Sequence, residues 1–251
     1  MCMKRRINGM SNNYEYLENK KYRVDKDTGF DKPNTNPCLK YVLVGITPGS
    51  RQRQKEGERE DDEPEFGTIE YKYFKAFAGK PMRDNIKEMF EFINDNKHKG
   101  KFDDLINVYG GKEGNIDKLF EYSKNSIIEF TSLLKDAVEV KNNKTGEYDL
   151  FKKPADINPK KHEQLYKEYE DGFLKDYCDY YRKCKDIVFI ACGKQVYNFL
   201  IDETKIDEDR VFAIVHPSPA AQGWINMFLD KSKSKKKYNP EARYERKKKN
   251  V

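Results

Sequence analysis

The chain has 251 residues, 37% of them charged and 37% hydrophobic, a lean composition that still supports one packed core. No run of eighteen apolar residues occurs, and Met1-Cys2-Met3-Lys4-Arg5-Arg6 leads into polar sequence, so neither a membrane span nor a signal peptide is expected and the reading is cytoplasmic. The net charge of +6 is unevenly spread: residues 231–251 hold ten Lys or Arg against two Glu, a net +8, which leaves −2 for residues 1–230. The basicity is therefore a tail, expected to be disordered and suited to phosphates or simply to solvation.

In chain order, a polar segment over residues 1–37 precedes a first apolar strand at 41–45, which ends in the loop Gly45-Ile46-Thr47-Pro48-Gly49. A charged stretch from Arg51 to Glu65 follows, and its acids are too solvated in pattern to be assigned a role. Ile86, Met89, Phe90 and Ile93 fall at i, i+3, i+4 and i+7, which predicts a helix with one apolar stripe; a second helix is predicted over Ile116–Tyr122. Ile127–Leu134 reads as a strand, and residues 138–150 as a peripheral hairpin around Asn142-Asn143-Lys144-Thr145-Gly146. A long helix is predicted from Lys161 to Cys184. After it come a strand at Ile187–Ala191, a turn at Cys192-Gly193, a helix carrying Val196, Phe199 and Leu200, and a last strand at Val211–Val215. Four short apolar strands separated by helices predict a single α/β domain, a three-layer α/β/α arrangement around a central four-stranded, mainly parallel sheet, with ligands bound beyond the strand ends. This domain spans residues 38–230, with a peripheral insertion at about 138–160.

The last strand runs directly into His216-Pro217-Ser218-Pro219-Ala220, a rigid loop able to hold one histidine at a fixed point in a cleft. Read alone, His216 serves equally as a local capping group, and the Gly-Ile-Thr-Pro-Gly loop as an ordinary tight turn. His98 and His162 lie in Lys-rich polar stretches, where a solvated surface role is expected. Five cysteines, odd in number and without CxxC spacing, predict free thiols rather than a disulfide frame or a zinc site.

Taken together, Gly45-Ile46-Thr47-Pro48-Gly49 and His216-Pro217-Ser218-Pro219 resemble the two signature loops of the uracil-DNA glycosylase superfamily. Phe77-Ala78-Gly79 is similar to its phenylalanine-x-glycine segment, Phe130-Thr131-Ser132-Leu133-Leu134-Lys135 to its middle strand, and Tyr177 to Lys194 to the helix and strand before its final loop. The resemblance covers about residues 40–230 and implies a monofunctional DNA glycosylase that flips uracil or another altered base out of single- or double-stranded DNA and excises it, leaving an abasic site. It further implies His216 as donor to the departing base and Phe77 as stacking platform. Gly45, Ile46, Pro48, Gly49, Ser132, Pro217 and Ser218 would line the substrate site, with Ser218 and the prolines gripping flanking phosphates. The chain departs from the family where Thr47 replaces an Asn or Asp that orients the attacking water, leaving positioning by its hydroxyl, and where Ser132 replaces a base-reading Asn. Some members hold an iron-sulfur cluster through four cysteines, of which this chain lacks the N-terminal pair and the one after Lys135, so no cofactor is expected. The chain is expected to act as a monomer without membrane contact. The alternatives are a DNA-binding module of the same fold without catalysis and an interaction protein using its basic tail.

Overall fold

The computed structural model describes residues 14–25, 36–46, 63–65, 68–134, 136–151, 162–170, 178–204, 206–233 and 237–242. Four strands, β3 (Tyr41–Gly45), β4 (Ile128–Ser132), β7 (Val188–Cys192) and β8 (Val211–Ile214), form one sheet in the order β4-β3-β7-β8, and every neighbouring pair is parallel. These are the four predicted strands, within a residue or two at each end. Nearly every side chain in them is buried, which is why their sequences read as continuous apolar runs rather than alternating ones. The chain first crosses from β3 to β4 on one side and then returns to pair β7 on the other. The crevice of such a switch lies beyond the carboxyl ends of β3 and β7.

Helix α2 (Lys80–Asn96) follows α1 (Ile69–Lys75) and buries the predicted stripe of Ile86, Met89, Phe90 and Ile93 completely. Two short helical segments come next, α3 (Asp103–Tyr109) and a 3-10 turn at Ile116–Phe120; the latter is the second predicted helix, shortened. The predicted long helix is represented by α4 (Glu163–Tyr169) and α5 (Cys178–Lys183), while residues 171–177 lie outside the described residues. After β7 comes α6 (Lys194–Glu203), and after the last strand α7 (Gln222–Phe228). The fold is a mixed α/β one built on the four-stranded parallel sheet.

A second sheet corrects two sequence readings. Residues 14–25, read as a polar segment, form a hairpin of β1 (Tyr14–Leu17) and β2 (Tyr22–Asp25), and β2 pairs with β5 (Ala137–Lys141), itself paired with β6 (Tyr148–Leu150). The 138–150 hairpin is thus half of a four-stranded antiparallel sheet. Alternation and cross-strand contacts hold it: Arg23 is ion-paired with Glu139 and lies over the rings of Tyr14 and Tyr148 at 4.4 and 4.6 Å.

The tail expectation is corrected in part. Residues 237–242 pack on the body: Pro240 is buried, and the Glu241 carboxylate accepts the backbone N–H of Ala213 at 3.1 Å, covering the outer edge of β8. His98 meets the same carboxylate at 3.4 Å, with its ring 4.4 Å from that of Phe212, so it is packed rather than solvated. His162 likewise contacts Lys21 at 3.0 Å and the ring of Tyr22 at 5.7 Å. Residues 243–251 lie outside the described residues.

Candidate active site

The strand ends gather most of the predicted site. Gly45 is in register with Ser132, and the ladder continues past the strands through Leu133 N–H to Gly45 O and Leu134 N–H to Ile46 O, both 3.0 Å. A side chain on Gly45 would meet the Thr131 carbonyl oxygen and Ser132 Cβ within 4 Å. Ser132 is buried, and its hydroxyl donates to Leu134 O at 2.9 Å, which leaves it acceptor capacity only toward a ligand. Thr47, Pro48 and Gly49 lie outside the described residues, as does most of the acidic run; of that run, Glu63 is ion-paired with the buried Lys75.

Phe77 is half-buried with its ring 6.3 Å from Phe130 of β4, whose own ring stacks on Phe120 at 4.7 Å. Its backbone has φ +48°, a left-handed conformation costly for a bulky residue, of order 1–3 kcal/mol. The surroundings explain how this persists. Arg83, buried on α2 with its guanidinium 4.1 Å over the Phe120 ring, donates to Phe74 O at 2.6 Å and Ala76 O at 3.5 Å, and pairs with Asp117 at 2.6 Å. Two carbonyls on the approach to the bend are thereby fixed to α2.

His216 lies at the end of β8, two strands from β3, a separation of about 10 Å at ordinary strand spacing. Its side chain is exposed. The backbone N–H of Ser218 donates to His216 Nδ1 at 3.3 Å, which puts the neutral ring's proton on Nε2 and makes that nitrogen the donor. The loop behind it is held by Asn85 of α2, whose side-chain amide donates to Pro217 O at 2.9 Å in a buried contact. On the other side lies Gly193, whose φ of +100° favours glycine; an added Cβ would stand in ordinary contact, 3.9 Å from His216 Cβ. Helix α2 therefore links the two halves, clamping the Phe77 bend through Arg83 and the His216 loop through Asn85.

The sequence reading gives Arg83 and Asn85 no role and Gly193 only a turn. A signal existed for the first two, since Arg83 shares a helical stripe with Ile86 and Phe90, and Asn85 with Met89; a polar residue on an apolar stripe asks for a buried partner. A hollow of about 310 Å³ is lined by Gly79, Lys80, Arg83, Lys87, Gly114 and Asp117, and none of the strand-end residues borders it. Two of its cations are committed: Arg83 holds Asp117, and Lys87 donates to the backbone carbonyls of Lys112 and Gly114.

Among the described residues no group of three or more His, Cys, Asp or Glu is arranged to hold a metal ion, and no helix is long and apolar enough to cross a membrane. Cys38, Cys178, Cys184 and Cys192 are free thiols, with burial pushing that of Cys192 far up from its ordinary range. Comparison of the chain with protein-family models, with curated proteins and with solved structures returns no match.

Proposed function

We propose that this chain is a monofunctional DNA glycosylase, a three-layer α/β/α enzyme acting as a cytoplasmic monomer on single- or double-stranded DNA. The observation that carries the reading is His216: a histidine at the carboxyl edge of a parallel sheet, its donor nitrogen set by Ser218 N–H and its loop anchored by buried Asn85. The alignment of Gly45, Ile46 and Ser132 along the same edge supports it, as do the Phe77 ring beside Phe130 of β4 and the free thiols, which suit a reducing compartment.

In this reading a nucleotide leaves the duplex stack at a cost of a few kcal/mol, and its base enters the crevice against the Phe77 ring. The bond between sugar C1′ and base nitrogen breaks with both electrons passing to the base. His216 Nε2–H donates to the base oxygen on which that charge develops, a fixed dipole that needs no reorganisation during reaction. Water then bonds to the cationic C1′ and releases a proton to solvent or to the departed base. Because the carbon is already electron-poor, orientation of that water by the Thr47 hydroxyl suffices in place of a carboxylate base. Pro217 and Ser218 hold flanking phosphates without reading sequence.

The test is alkaline cleavage of uracil-containing single- and double-stranded oligonucleotides after incubation with the wild type and His216→Ala. Abasic sites from the wild type, reduced about a hundredfold or more in the variant, are expected. Turnover unchanged in the variant would overturn the assignment of His216. DNA binding without release of uracil or any modified base would replace catalysis by a binding role.

A further inference from the structure

Helix α7 presents Ile225 and Phe228 to the core, but Trp224, the one tryptophan of the chain, is 53% exposed on its outer side. An exposed aromatic of that size is unusual beside a sheet that buries its other large rings. Trp224 is not isolated. Tyr238, from the stretch that follows α7 in the chain, lies against it with ring centroids 5.0 Å apart. The described residues on both sides are anchored, Lys231 and Ser232 by N–H to Asn226 O at 2.8 and 3.1 Å and Glu241 by its carboxylate on Ala213 N–H.

The same stretch of chain carries exposed cations. Lys231 pairs with Glu88 at 2.8 Å and Lys237 with Asp230 at 3.3 Å, but all four side chains are about half exposed or more; Lys233 is exposed as well. Exposed pairs of this kind are worth little and exchange readily for a phosphate. The chain that carries His216 turns through Pro219–Ala221 straight into α7, so histidine and aromatic pair share one short connection.

We propose that Trp224 and Tyr238, with Lys231, Lys233 and Lys237, form a stacking ledge for an unpaired nucleic-acid strand running out of the His216 crevice. Rings supply a surface on which any base stacks, and lysines follow the backbone, the combination that binds single strands without sequence preference. This rests on the DNA reading above for the strand's identity, and it assigns the basic stretch after α7 an ordered role that a solvated tail would lack.

The sole tryptophan makes the ledge directly observable. Titration of the full chain with a single-stranded oligothymidine of about 12 nucleotides should quench its emission at low salt, with the midpoint moving to higher concentration as salt is raised. Trp224→Ala should bind about tenfold more weakly, Tyr238→Ala severalfold, and Trp224→Phe close to the wild type, each variant being checked for native circular dichroism. His216→Ala should be quenched like the wild type. Saturable binding without quenching, equal affinity for Trp224→Ala, or no binding at all would overturn the ledge. Base release is measured separately: release without quenching removes the ledge and leaves the glycosylase reading, while quenching without release from any substrate does the reverse.

Discussion

The two sheets of this molecule solve the same problem by opposite means. In the parallel sheet Val42, Leu43, Val44, Phe189, Ile190 and Ala191 are fully shielded, and cohesion comes from apolar area covered on both faces. The antiparallel sheet mixes buried and exposed positions: Tyr22 and Val24 are buried while Glu15 and Tyr16 are exposed, and Arg23, Glu139 and the rings of Tyr14 and Tyr148 tie strand to strand. The first sheet also carries the strand-end residues of the candidate site, whereas the second carries none of them. Position at the carboxyl edge of a rigid parallel sheet, rather than membership of the fold as a whole, gives those side chains a fixed geometry.

The sharpest way to break the contrast is to open a void under the site. Phe130 is buried, stacks on Phe120 and contacts both Tyr73 and Phe77. Phe130→Ala is expected to cost about 3–5 kcal/mol by urea unfolding and to abolish base release, because the Phe77 bend loses its support. An equal truncation in the antiparallel sheet should leave turnover per folded molecule unchanged.

Alkali provides a second separation. Burial, with smaller contributions from Asp104 and Asp103, pushes the Tyr41 phenol up to about 12, and burial beside Glu91 pushes Tyr109 further up. Both belong to the parallel side, Tyr41 at the start of β3 and Tyr109 on α3. Their folded values are raised above the unfolded value of about 10, so the stability they represent is complete below pH 10 and is lost as pH climbs toward 12. Urea midpoints should therefore fall steeply above about pH 10, and Tyr41→Phe should flatten that fall. A curve for Tyr41→Phe that matches the wild type would sink the assignment.

Asn85→Ala isolates position from stability. Its amide is the buried clamp on Pro217 O, so the variant should lose about 1–3 kcal/mol from the orphaned carbonyl. If the clamp fixes the histidine loop, turnover should fall about tenfold through kcat, with KM nearly constant. A change in stability with kcat intact would make Asn85 a fold residue only.

The same contrast explains what could be read from the chain. Continuous apolar runs ending in Gly45, Gly193 and His216 announce buried parallel strands and their loops, because such strands need no partner pattern. The β1–β2 hairpin was illegible for a local reason: its turn places Glu18, Asn19 and Lys20 at φ +48°, +54° and +64°, a conformation normally signalled by glycine, and none is present. The antiparallel sheet depends on β2 meeting β5, more than a hundred residues away, and nothing local encodes that pairing. The packing of Glu241 on Ala213 is hidden in the same way, since a basic-rich stretch gives no sign that one of its few acids caps a strand edge. Arg83 and Asn85 stand between these cases, visible as polar residues on an apolar stripe but mute about which carbonyls they hold.

The smallest effect tests the antiparallel side directly. Arg23 joins all four strands: it sits on β2, pairs with Glu139 of β5, and its guanidinium lies over Tyr14 of β1 and Tyr148 of β6. Its side chain is 24% exposed, so the ion pair is partly screened and the ring contacts supply a comparable share. Arg23→Ala should cost about 1–2 kcal/mol, and Arg23→Lys should recover only part of it, since an ammonium can follow the charge of Glu139 but cannot lie flat between two rings. Hydrogen exchange should quicken in β1, β2 and β6 and stay unchanged in β3, β7 and β8, with base release unaffected. Were exchange in β7 to quicken as well, the two sheets would be one cooperative unit, and the site would depend on the pairing of strands that do not touch it.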